Sequence, residues 1–353
     1  MASDDRFVTL DGMRGLAAVI VALAHIAELL GFGILPHAHL AVDFFFVLSG
    51  FVIGHAYDQR LVTSMNPLEF LERRLIRLHP LIVLATAISA VTLIVGGSGA
   101  SGPGMTAILG AFLAGCLLIP IHPLSSPWAF PLNGPAWSLF AEYWVNILFA
   151  FTAPWLTQRR LRGVIALSFG MLLALFGIAG NVWNLWLSSS ITLSLFRVMY
   201  PFFVGLFLSR VFRSSRQDLP AVSPLVSVSI LAAILLSPGI GFEVLFDFAM
   251  IAIAFPLLVI ASARDRANPM ERDFLLLGGR LSYPIYTLHF PLILLLSQGI
   301  IGPVLPWRNV GTLVVSLLLV IAVSYLVLRY VDEPLRAWLG ARRPPPQIRS
   351  VAT

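Results

Sequence analysis

Eleven times along this chain the sequence stays apolar for about twenty residues, the length that carries an α-helix across the hydrocarbon of a bilayer. The runs lie at about 13–35, 39–57, 77–97, 104–121, 135–155, 163–182, 191–210, 222–238, 243–262, 283–301 and 310–331. They are continuous, with no alternation of period two, so they read as helices and not as the strands of a closed barrel. Charge is scarce to match: 11% of the residues are charged, against about 25% in a soluble domain. The expected class is all-α, a polytopic membrane helix bundle.

The basic residues decide how many runs cross. All of the 23 Lys and Arg residues are Arg, and they gather in short loops between the runs, as topology signals do. The net charge of +6 therefore marks loop orientation and implies no nucleic-acid partner. Arg6 and Arg14, then Arg60, Arg73, Arg74 and Arg77, place the N-terminus and the second loop inside. If 104–121 crossed, every later basic loop would fall outside; if it does not, all fall inside. The expectation is ten transmembrane helices plus one re-entrant or outer-surface segment at 104–121, with both termini cytoplasmic. The stretch "IPIHPLSSPWAFPLNGPAW" reads as an outer loop folded back on the bundle. The acidic start "MASDDRF" lacks the basic region of a signal peptide, so the first run reads as a retained span. Residues 1–335 are expected to form the membrane domain and 336–353 a disordered cytoplasmic tail. Cys116, the single cysteine, excludes an internal disulfide and a multi-cysteine metal site, and no metal is expected.

Ionisable groups inside such a bundle are costly and are candidates for function. The first span holds Arg14 and His25 eleven residues apart, within about 20° of three full turns and roughly 16 Å along the axis. Glu28 follows His25 by three residues, on the same face. Each has a plainer reading taken singly: Arg14 as a headgroup anchor, His25 as an interhelical hydrogen-bonder, Glu28 as a solvated interfacial charge. As a set they form a polar seam that should face the bundle interior. Asp43 opens the second span, where it could hold a polar acceptor or pair with His25, and Ser49-Gly50 follow. "FLERRLIRLHP" sets Arg73, Arg74 and Arg77 on one inner patch, suited to lipid headgroups or to the phosphates of a donor. Glu142 sits in "GPAWSLFAEYW" and His289 in "SYPIYTLHF", the latter expected nearer the inner side. Arg197 lies within a span with no partner evident in the sequence, and Asp332 and Glu333 are expected to bridge to an inner Arg.

Six elements in order, "LDGMRGLAAVIVALAH", "AVDFFFVLSGFVIG", "RRLIRLHP", "WSLFAEYW", "SYPIYTLHFP" and "DEPLR", resemble the acyltransferase type 3 family of integral membrane acyltransferases. The second element begins with Ala41 where the family usually has Gly. The likeness is to the stand-alone form, without a fused esterase-like domain. The resemblance implies a roughly ten-helix bundle in the bacterial cytoplasmic (inner) membrane. It would move an acyl group, usually acetyl, from cytoplasmic acyl-CoA to a hydroxyl of a carbohydrate or glycolipid acceptor. Arg14 and His25 carry over onto the positions most associated with activity, and the arginines of "RRLIRLHP" and Glu142 onto further ones.

The chemistry of acyl transfer agrees. A base must take the hydroxyl proton, and His25 suits that role, as general base or as acyl carrier. Glu28 or Glu142 could orient its ring, with Asp43 and Glu142 near the acceptor. Arg14, Arg73, Arg74, Arg77 and His289 would hold the donor. A transporter or flippase for a lipid-linked sugar is the rival, since such proteins also carry intramembrane charges. Against it, the apolar runs show no two-fold repeat.

Overall fold

The computed structural model describes residues 6–33, 35–96, 103–121, 128–179, 189–219, 221–239, 241–264, 267–297 and 309–342. Every apolar run becomes a helix: α1 (Val8–Leu29), α2 (Leu40–Thr63), α3 (Pro67–Val95), α4 (Met105–Cys116), α5 (Ala136–Thr152), α6 (Gln158–Ala179), α7 (Ile191–Ser215), α8 (Pro224–Leu235), α9 (Glu243–Ser262), α10 (Pro269–Ser297) and α11 (Val310–Ala341). No strand occurs among the described residues. The molecule is an all-α polytopic bundle.

Helix starts follow local chemistry. Asn66 accepts from the backbone N–H of Leu68 at 2.9 Å with Pro67 next in line, and Asn309 caps Thr312 at 2.8 Å. Two helices carry a single wide turn, α9 at Met250–Ala254 and α11 at Leu328–Asp332.

Seven helices are long and apolar enough to cross a membrane: α1, α2, α3, α6, α7, α9 and α11. α10 has 29 residues and fails that test through polarity, because it spends its inner face on Ser282, Tyr283, Tyr286 and His289. α5, with 17 residues, is at the short end of the spanning range. α4 has 12 residues, roughly 18 Å, shorter than the hydrocarbon is thick. α8 is equally short, less than the run at 222–238 led one to expect. α11 runs on to Ala341, so the expected boundary at 335 falls inside a helix; residues 343–353 of that tail lie outside the described residues.

Two helix crossings set the geometry of the core. α1 meets α10 where Gly15 faces Gly278; a Cβ on Gly15 would lie 2.6 Å from the Gly278 carbonyl carbon. α2 meets α7 through Gly50 and Gly205, whose added Cβ atoms would fall 1.9 Å and 2.1 Å from backbone oxygens of the facing helix. Small residues let backbones close to this distance, where dispersion holds helices together in lipid. Buried ion pairs add pins: Asp58 of α2 takes Arg210 at 2.8 Å and Arg213 at 2.7 Å from α7. Near the C-terminal end of α11, Glu333 takes Arg280 at 2.6 Å and Asp332 pairs with Arg336, each carboxylate meeting an Arg as expected from the sequence.

Candidate active site

The α1–α10 crossing places two parallel polar stripes against each other. Low on α1, Arg14 donates from Nε to Ser282 Oγ at 2.9 Å, and from one terminal nitrogen to the Gly279 carbonyl at 2.8 Å and Asp11 Oδ1 at 3.0 Å. Arg14 is thus locked to α10, not snorkelling. Three turns on, the His25 and His289 rings face each other with centroids 5.0 Å apart and planes inclined 34°. His289, expected among the donor-binding arginines at the inner side, stands instead level with His25 and fully buried.

Each imidazole is held the same way. His25 Nδ1 lies 3.0 Å from the Val21 carbonyl and His289 Nδ1 3.1 Å from the Ile285 carbonyl, each four residues back on its own helix. A carbonyl only accepts, so each Nδ1 carries the proton and each Nε2 of the neutral ring presents a lone pair. The ring of His25 is therefore oriented by its own helix. Glu28, expected to orient it, is exposed, and Glu142 is engaged elsewhere.

Around the two imidazoles are Tyr286, 5.8 Å from His289 ring to ring, and Phe45 of α2, 5.5 Å beyond. Tyr286 Oη shares a 2.5 Å hydrogen bond with Ser138 Oγ of α5. Pro291 lacks the N–H that would bond the Thr287 carbonyl, and Asn133 Nδ2 takes that carbonyl at 3.3 Å. The segment after α4 is thereby tied to α10 beside His289. The described part of this loop is thus folded back on the bundle, and residues 122–127 of it lie outside the described residues.

One layer inward, Glu142 Oε1 accepts from Ser49 Oγ at 3.0 Å and from Arg74, joining α2, α3 and α5. Ser49 is thus a partner of Glu142. Tyr283 Oη donates to the Leu78 carbonyl of α3. The three arginines early in α3 divide. Arg73 bonds Glu69 one turn back at 2.7 Å, and Arg74 is buried against Glu142. Arg77 is exposed with no carboxylate paired to it among the described residues, and the charges of Arg14, Arg74 and Arg336 all reach it. Arg77 is the one of these guanidiniums with no carboxylate bonded to it among the described residues, and such a group suits phosphate oxygens.

Asp43 is not beside His25. It is fully buried and bidentate to Arg197 of α7, Oδ1 at 2.8 Å from Nε, with the guanidinium 5.3 Å from the Trp137 ring. This ion pair supplies the partner that Arg197 lacked in sequence. Sequence reasoning missed Ser138, Ser282 and Tyr286. Ser282, Tyr286 and His289 recur at i, i+4 and i+7 on an apolar helix, which is one face, and that spacing was the signal available. Among the described residues no cluster of His, Cys, Asp or Glu could hold a metal ion.

The model of the acyltransferase domain family matches residues 7–329. "Protein 2 in picA locus" of Rhizobium radiobacter is 38% identical over 183 residues, covering 46% of this chain and 91% of that protein. "Exopolysaccharide production protein ExoZ" of Rhizobium meliloti (strain 1021) is 30% identical over 251 residues, covering 70% of this chain and 74% of that protein. No solved structure matches.

Proposed function

Since this chain belongs to the acyltransferase type 3 family and is a membrane acyltransferase, we propose that it carries an acetyl group from cytoplasmic acetyl-CoA to a hydroxyl of a polysaccharide or its lipid-linked precursor. The relative named for exopolysaccharide production supports that acceptor class. The multi-pass bundle and its inner arginines support residence in the bacterial cytoplasmic membrane with both termini inside.

The observation that carries the reading is the His25 ring, turned into the bundle beside His289 with Nδ1 on the Val21 carbonyl and Nε2 left as a base. As the acceptor oxygen bonds to the thioester carbonyl carbon, its proton passes to His25 Nε2. When the C–S bond breaks, that proton goes to the leaving thiolate. Arg77 and Arg14 hold the donor's phosphates at the inner side, roughly 16 Å below His25 in the case of Arg14. Arg74 and Glu142, already paired, brace the wall between α3 and α5.

Purified protein given labelled acetyl-CoA and an oligosaccharide acceptor should release free coenzyme and label the acceptor. His25→Ala should lower transfer on the order of 10²–10⁴-fold with unchanged elution and melting temperature. Wild-type protein that transports the acceptor and leaves the thioester intact would end this reading.

A further inference from the structure

Beside the two imidazoles stand two aromatic rings that the transfer chemistry does not use. Phe290 follows His289 on α10 and lies one turn beyond Tyr286, on the same helix face. Trp128 reaches it from the outer loop: the ring centroids are 5.3 Å apart, with planes inclined 70°. Gly134 of the same loop packs on both, since a Cβ there would lie 3.5 Å from Phe290 Cε2 and 3.7 Å from Trp128 Cε3. Both rings are half-buried, whereas His289 is fully buried. Edge-to-face packing covers one ring face and leaves the rest to other contacts. The loop also brings an unsatisfied acceptor. Asn133 is 3% exposed; its Nδ2 takes the Thr287 carbonyl at 3.3 Å, and its Oδ1 has no partner. Few buried polar atoms are left so, and a carboxamide oxygen is satisfied only by a donor. Thr287 and Phe290 are three residues apart, so the carboxamide and the ring pair share one outer stretch of α10.

A ligand suited to this place has an apolar face for the rings and an O–H or N–H for the carboxamide. A pyranose is built that way, with C–H bonds gathered on one face and hydroxyls around its edge. Those C–H bonds carry slight positive charge, and the face of an aromatic ring is negative. A bare hydrocarbon chain brings no donor to Asn133, and a phosphate is repelled by the ring faces. We propose that Trp128, Phe290 and Asn133 form a subsite that holds a sugar ring of the acceptor beside the imidazole pair. This rests on the carbohydrate acceptor proposed above and names the residues that recognise it. Few polar groups among aromatic walls is the usual make-up of a small-molecule site. The donor enters from the opposite, arginine-bearing side, so this subsite governs acceptor binding alone.

The test compares Trp128→Leu, Phe290→Leu and Trp128→Phe with wild type in transfer from labelled acetyl-CoA to an oligosaccharide. Leu keeps apolar bulk without a ring, and Phe at position 128 restores a ring. The expected result is an oligosaccharide KM raised about 3- to 10-fold in each Leu variant, with the acetyl-CoA KM within about twofold. Trp128→Phe should lie closer to wild type than Trp128→Leu. Rings that only pack the loop would not split the two KM values in this way. If Trp128→Leu does not fold, Phe290→Leu decides. An unchanged oligosaccharide KM in the folded Leu variants, or an equal rise in both KM values, overturns the subsite. Wild-type protein that acetylates no carbohydrate would instead overturn the acceptor class beneath it, so the two failures read differently.

Discussion

Asp43 shows how far a single residue's role depends on what it meets across the bundle. A carboxylate and a guanidinium, both almost wholly buried, tolerate each other only as a pair. Asp43→Ala should therefore cost about 3–5 kcal/mol, seen as a lowered melting temperature in detergent, because Arg197 would be left charged and buried. Replacing both at once, Asp43→Leu with Arg197→Met, should recover most of that loss; no recovery would mean the pair acts through something besides charge. Asp43 and Arg197 were each legible in the sequence as intramembrane charges that needed an explanation. Their pairing was not, since 154 residues separate them and no local spacing links them. The same holds for His25 and His289, whose meeting depends on the glycines at the α1–α10 crossing. The arginines give a second prediction. Arg77→Ala should raise the acyl-CoA KM about tenfold or more with little change in kcat, while Arg73→Ala, whose guanidinium is tied to Glu69, should move it by less than about twofold.

Between elements, packing in lipid turns on how closely two backbones approach. Gly205 of α7 lies so near Val47 of α2 that one methyl has no room. Gly205→Ala should push the helices apart and cost about 1–3 kcal/mol. Gly170 of α6 has nothing within 4 Å of where its Cβ would be, so Gly170→Ala should be neutral or stabilising by about 0.5–1 kcal/mol. Melting temperatures of the two variants in one detergent check the contrast, and equal effects would show that the α2–α7 contact is not as tight as drawn. The number of helices was legible because eleven apolar runs can hardly hide. Their lengths were less so. α8 stops at Leu235, and α10 spends its polar residues on a buried face that hydropathy counts against it. The wide turns in α9 and α11 carry no sequence mark that periodicity could detect.

On the scale of the whole molecule, α4 decides which side of the membrane most of the chain occupies. Its 12 residues cover roughly two thirds of the hydrocarbon thickness, and the segment that follows is pinned back onto α10 through Asn133. A helix that enters without crossing leaves Gly104 and Ile119 on the same outer face. The end of α6 bearing Arg159 and Arg160, and the end of α7 bearing Arg213 with Arg216 after it, then lie inside, beside Arg73, Arg74 and Arg77 in the first turns of α3. With Cys116 replaced by Ala, single cysteines at Gly104 and Ile119 should react with an impermeant maleimide on intact cells. Cysteines at Thr157 and Gln217 should react only after permeabilisation. The donor route requires this orientation. If Gly104 and Ile119 label from opposite sides, α4 crosses and every later loop changes side. α10 then runs in the opposite sense to α1, and the parallel pairing of Arg14 with Ser282 and of His25 with His289 could not form.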